Sequence, residues 1–197
     1  MKLFWCKHTR AFRGAWMLEE AGVPYERVTI DIRNEQARTY PGFLAASPMG
    51  KVPALEDGAV RIWDSAAICG YVADQYPQAG LAPAIGDPAR GPYLQWLMFT
   101  NAVIEPAMAE HFSKAPPNPV AHGWGSFDKM IETLHKGLQG GSWILGDRFT
   151  AADVMLGASC HFLRKFKMVA DEPILFAYAD RCAARPAFRR ADAFESE

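Results

Sequence analysis

Every strand-like run in this chain lies at or before Trp63, and beyond Asp87 no segment alternates in the manner of a strand. Lys2-Leu3-Phe4-Trp5-Cys6 is a short apolar and aromatic run, and residues 25 to 30 alternate with strand-forming types. Two further runs, Lys51-Val52-Pro53-Ala54-Leu55 and Val60-Arg61-Ile62-Trp63, flank Asp57-Gly58. That dipeptide favours a tight hairpin, because glycine supplies the positive φ such a turn needs, so the two strands are antiparallel. Between the first two runs Phe12, Ala15, Trp16 and Met17 recur at helical intervals, and Gly22 stands where a helix C-terminus favours glycine. A helical crossover makes the first two strands parallel. Residues 34 to 45 carry a weak, irregular helical pattern, and residues 65 to 76 a stronger one that Pro77 ends.

The order so far is β-α-β-α-β-β-α. Residues 78 to 86 are rich in Ala, Gly and Pro and have no period, so they read as a linker. After them, residues 93 to 112 form one long helical pattern, with Leu94, Leu97, Asn101, Ile104, Met108 and His111 along one face and Pro106 as a potential kink. Further helices are expected over 125 to 139, 151 to 166 and 174 to 184. The division that follows is an α/β domain over 1–77, a linker over 78–86 and an all-helical domain over 87–197.

Composition narrows the function classes. With 21 basic against 22 acidic residues, no excess positive charge is available to neutralise a phosphate backbone, which argues against a nucleic-acid partner. No apolar stretch approaches bilayer-spanning length, and Lys7, His8 and Arg10 follow the first apolar run too soon for a signal peptide. A cytoplasmic protein with no membrane association is expected. Cys6, Cys69, Cys160 and Cys182 are widely spaced, with no C-x-x-C pair and no Cys/His spacing of a zinc site. They read as reduced thiols, with no metal.

Four segments, in this order, carry a resemblance to a known family. They are Leu18-Glu19-Glu20-Ala21-Gly22, Ser47 to Leu55 with Val52-Pro53 at its centre, Asp64-Ser65, and Leu145-Gly146-Asp147-Arg148-Phe149-Thr150-Ala151-Ala152-Asp153. Together they resemble the cytosolic glutathione S-transferase superfamily of bacterial type, over nearly the whole chain. The resemblance implies an α/β thioredoxin-like N-terminal domain, followed by an all-α helical-bundle domain, in a homodimer.

It also implies that the Val52–Pro53 bond is cis and that Val52 presents its backbone N–H and C=O to the cysteinyl part of glutathione. Without it, a trans proline on an edge strand is the default. Asp64 and Ser65 are then expected to bind the γ-glutamyl end. An acidic side chain suits its ammonium, and a helix N-terminus with a hydroxyl suits its carboxylate. Either residue equally suits a helix cap.

A free thiol of the cysteine type has a pKa near about 8.5, so the enzyme has to favour the thiolate. In the loop Cys6-Lys7-His8-Thr9-Arg10-Ala11, the cysteine of the beta class falls near Arg10 and is absent. Thr9 is the nearest hydroxyl, either a donor to the sulfur or a helix cap; Arg10 is a charge that suits a thiolate or solvent; Cys6 reads as a buried thiol. For the second substrate, Trp5, Met108, His111 and Phe112 are the candidate pocket wall, with His8 and Trp124 as further aromatic candidates, and ordinary packing is the alternative for each.

The function implied is conjugation of glutathione to hydrophobic electrophiles, as in detoxification. The alternatives are a glutathione-dependent reductase, peroxidase or isomerase, or a non-catalytic glutathione-binding protein.

Overall fold

The hairpin around Asp57-Gly58 forms as its turn chemistry predicts, and it organises the sheet. In the computed structural model, which describes residues 1–114, 116 and 118–197, the strands are β1 (Lys2–Trp5), β2 (Glu26–Thr29), β3 (Ala54–Asp57) and β4 (Val60–Trp63). They lie in the order β2-β1-β3-β4, with β1 parallel to β2 and the other pairs antiparallel. β3 begins at Ala54 rather than Lys51, since Pro53 has no N–H to enter the ladder. Phe4 pairs with Ala54 and Ala54 with Trp63, while Trp5 pairs with Thr29.

The chain forms two compact units, one of residues Met1–Ala82 together with Ala183–Glu197, the other of Pro83–Cys182. In the first, helix α1 (Ala11–Ala21) is closed by Gly22 at φ 66°, whose N–H returns to the Leu18 carbonyl. The irregular stretch resolves into two short helices, α2 (Glu35–Arg38) and α3 (Pro41–Ala46), because Pro41 starts a helix readily but cannot continue one. Helix α4 (Ser65–Gln75) follows the hairpin directly.

Residues 183–197 carry a helix beyond those the sequence pattern predicts. The proline at its start and its length of eight residues leave only a weak pattern. This helix, counted α10 (Pro186–Ala193), buries Phe188 edge-on against Phe12 and Trp16, with ring centroids 4.9 Å away in both cases. Arg185 grips Glu20 with Nε and Nη2 at 2.6 and 2.7 Å, and Trp16 Nε1 donates to the same carboxylate at 2.8 Å. This pairing, more than helix propensity, accounts for α10.

The second unit contains α5 (Arg90–Phe99), α6 (Glu105–Ser113), α7 (Phe127–Leu138), α8 (Ala151–Lys165) and α9 (Pro173–Ala183). The single long helix expected over 93 to 112 is interrupted by a π turn, Thr100–Ile104. Pro106 lacks the N–H that the Ala102 carbonyl would accept, and its ring crowds that carbonyl, so the backbone widens just before it. α8 forms the core, buried on every side from Ala151 to Cys160, which suits its run of small residues.

Its first turn is fixed by the capping box expected of Thr150 and Asp153. Asp153 does more than cap. It is fully buried; its Oδ2 accepts from the Thr150 N–H at 2.8 Å and the Thr150 hydroxyl at 3.1 Å, and its Oδ1 from the Ile144 N–H and the Tyr178 hydroxyl, both at 2.8 Å. Burial pushes its pKa up, and these donors pull against that. Asp153→Ala strands several buried donors at once, so a loss of about 3 kcal/mol or more is expected in urea unfolding. An exposed cap would lose nearer about 1 kcal/mol.

Candidate functional site

The register of the sheet decides which loops meet. Since Phe4, Ala54 and Trp63 lie side by side, the residues just beyond them in the same direction fall on one edge. These are the loop after β1 (residues 6–10), the Val52–Pro53 pair ahead of β3, and Asp64–Ser65 after β4. Three of the expected site segments are thereby brought together by backbone pairing alone.

The Val52–Pro53 bond is cis, and both residues are buried. α1 approaches this pair closely at Gly14, where a Cβ would lie 3.3 Å from Pro53 Cβ and 3.1 Å from Leu3 Cδ1. Asp64 lies at φ 84°, a left-handed region uncommon for a non-glycine residue, and its side chain is the N-cap of α4. Its Oδ1 accepts from the Ala66 and Ala67 N–H groups at 2.9 and 3.3 Å. Asp64 is exposed and Ser65 buried.

On the loop itself, the Thr9 hydroxyl donates to the Cys6 carbonyl at 2.6 Å and accepts from the Ala11 N–H at 3.1 Å. Its single proton is thus committed to the backbone, which is the behaviour of a cap. Arg10, the residue entering α1, is exposed. His8 adopts φ 59° and is exposed. Two residues that no sequence motif singles out reach this loop. Arg33 Nη1 lies 3.3 Å from Cys6 Sγ, and Glu195 Oε2 accepts from the His8 N–H at 2.6 Å. Glu195 is moreover distant in sequence.

Among the candidates for a second-substrate wall, Trp5 is buried at 3% exposure with the Arg27 guanidinium 5.0 Å over its ring. Met108, His111 and Phe112 all lie on α6, half-buried or exposed. His111 stacks on Phe127 at 4.0 Å and meets Phe112 edge-on at 5.3 Å. Trp124 stacks on His122 at 4.5 Å, and both bond to Glu110 Oε2, at 3.2 Å from Trp124 Nε1 and 2.6 Å from His122 Nδ1. α6 and the segment before α7 therefore carry an aromatic face. No cluster of three or more metal-ligating side chains occurs among the described residues, and no helix among them is long and apolar enough to cross a membrane.

Residues 1–74 match the glutathione S-transferase N-terminal domain and residues 105–190 the C-terminal domain. The chain is 25% identical to glutathione S-transferase GstA of Escherichia coli O157:H7, over 94% of either protein. It is 30% identical to the probable glutathione S-transferase GSTF2 of Oryza sativa subsp. japonica, over 74% of this chain and 75% of that one. Among solved structures, a sphingomonad glutathione S-transferase complexed with glutathione superposes with a TM-score of 0.82 at 31% identity, over 100% of this chain and 99% of the other.

Every cysteine is buried, and burial pushes the Cys69 and Cys160 thiols up to about 12. An inaccessible, protonated thiol reacts slowly with aromatic disulfides. Ellman's reagent is therefore expected to leave Cys69 and Cys160 unmodified in the native protein and to titrate all four thiols after denaturation.

Proposed function

Since the chain belongs to the glutathione S-transferase family, we propose that it binds glutathione at the edge formed by residues 6–10, Val52–Pro53 and Asp64–Ser65 and transfers its thiolate to an electrophilic carbon of a hydrophobic molecule. The convergence of these three segments, imposed by the Phe4–Ala54–Trp63 register, is the observation that carries the reading.

Each part of the tripeptide has a chemical counterpart there. The γ-glutamyl carboxylate suits the N-terminus of α4, where backbone N–H groups, the positive end of the helix dipole and the Ser65 hydroxyl coincide. Asp64 supplies the charge for the neighbouring ammonium. The backbone of Val52 pairs with the cysteinyl amide, which directs the sulfur toward the start of α1. Thr9 belongs to this catalytic loop by shaping it, its proton being held by the Cys6 carbonyl. Stabilisation of the thiolate falls to Arg10 and to the N-terminal end of α1, a fixed positive potential that favours the charged sulfur.

The chemistry asks for orientation and thiolate stabilisation, and no metal. The electrophile is assigned to the aromatic face of Met108, His111, Phe112 and Trp124, as suits a hydrophobic substrate. A cytoplasmic homodimer, with detoxification as its role, completes the reading. Exposed Leu94 and Met98, one helical turn apart on α5, are apolar surface that supports association.

Titration calorimetry with glutathione, followed by turnover of a panel of electrophiles, disulfides and hydroperoxides, tests the proposal. Binding with conjugation of electrophiles is expected; no heat at millimolar glutathione overturns it. Asp64→Asn keeps the cap and tolerates the positive φ, so it is expected to unfold as the wild type does while binding glutathione about 1–3 kcal/mol more weakly. Arg10→Leu removes a positive charge and raises the pKa of the bound thiol. Its turnover is expected to fall most at neutral pH and to recover at alkaline pH, where the thiolate forms unaided; a pH-independent loss assigns the role elsewhere.

A further inference from the structure

The 3₁₀ turn Phe194–Ser196 reaches the same loop. Glu195 is 9% exposed, and its Oε2 lies 2.6 Å from the His8 backbone nitrogen and 2.7 Å from His8 Nδ1. Its other oxygen, Oε1, is buried and makes no hydrogen bond among the described residues. Beside it the Arg27 guanidinium covers the rings of Phe194 at 4.0 Å and Trp5 at 5.0 Å and pairs with Glu197. Arg27 Nη1 and Trp5 Nε1 are likewise buried without a hydrogen-bond partner among the described residues.

A carboxylate with one oxygen unpaired is a costly group to bury, and an apolar side chain would seat the turn at lower desolvation cost. What a carboxylate does here that an apolar group cannot is hold the His8 N–H. His8 sits at φ 59°, a left-handed conformation uncommon among non-glycine residues, and the bond to its N–H helps to hold it there. That turn sets the direction of the next two residues: Thr9, bonded to Cys6 and Ala11, and Arg10, at the entrance to α1.

We propose that Glu195 is a positioning residue for the reaction. By fixing His8 in its left-handed turn, it holds Thr9 in its capping bonds and Arg10 and the start of α1 where they act on the glutathione sulfur, and it touches neither substrate. The inference rests on the function proposed above.

Two variants and two readouts test it. Glu195→Ala removes the acceptor, whereas Glu195→Gln keeps an oxygen for the His8 N–H. The pKa of bound glutathione, followed by its ultraviolet thiolate absorbance, is expected to rise by about one unit in Glu195→Ala, a roughly tenfold smaller thiolate fraction at neutral pH. The kcat falls in proportion while KM for glutathione stays within about twofold of wild type, as expected when binding is kept and activation lost. Glu195→Gln restores most of the effect. An unchanged thiol pKa in Glu195→Ala overturns the proposal, and so does an equal loss in both variants accompanied by equal destabilisation.

Hydrogen exchange needs no glutathione. The amides of His8 to Ala11 are expected to exchange faster in Glu195→Ala while those of α4 do not change, and unaltered loop exchange also overturns the proposal. If the wild-type protein binds no glutathione, the functional reading fails by itself, and this exchange arm still decides whether Glu195 holds the loop.

Discussion

The side-by-side pairing of Phe4, Ala54 and Trp63 does two jobs at once. It buries both faces of the inner strands, since the consecutive residues Leu3 and Phe4, and Ala54 and Leu55, point to opposite faces and are all at or below 5% exposure. It also aligns the three backbone segments that leave the strands on one side. A slip of one residue in either pair would exchange the two faces, taking Leu3 from beside Gly14 and Phe4 from beside Phe43, so the packing that stabilises the sheet also enforces the alignment of the loops. Core and site are thus held in register by the same constraint.

α1 is the other shared element. Its Gly14 lets the helix lie against Leu3 and Pro53, close to the peptide expected to meet glutathione. On another side it receives Phe188 between Phe12 and Trp16. The ion pairs between α1 and α10 differ in weight. Glu20 is only 6% exposed and accepts from both Arg185 and Trp16, so its loss would strand buried donors. Arg190, more than half exposed, pairs with Glu19 in a setting that solvent screens.

Features set by local chemistry are legible in the amino-acid sequence by itself: the Asp57-Gly58 hairpin, Gly22 closing α1, Pro77 ending α4, and the Thr150–Asp153 cap. Each depends on residues a few positions apart. Features set by distant partners are not legible in this way. α10 owes its place to Phe12, Trp16 and Glu20, more than 150 residues earlier. The π turn depends on how Pro106 spoils one hydrogen bond within an otherwise regular apolar pattern. At the site, Val52, Pro53, Asp64 and Ser65 stand out through the family resemblance, since local chemistry alone marks Asp64 and Ser65 as a helix cap and leaves Val52–Pro53 an ordinary trans pair. The two roles open to Thr9 are separated only by where its proton goes. Glu195 carries no signal at all, since a single acidic residue near a chain end is unremarkable until its partner is known.

Residues 83–182 are inserted, in chain order, into a unit whose two parts lie on either side of them. During synthesis, Phe12 and Trp16 emerge long before Phe188 and Arg185 exist to cover them. The helical unit can consolidate as soon as its own residues are out, but the first unit must wait with an open flank on α1. The sheet and its loops are therefore complete in sequence early and complete in structure late, and the surface exposed in that interval is aromatic and apolar, the kind that chaperones bind and that aggregates recruit.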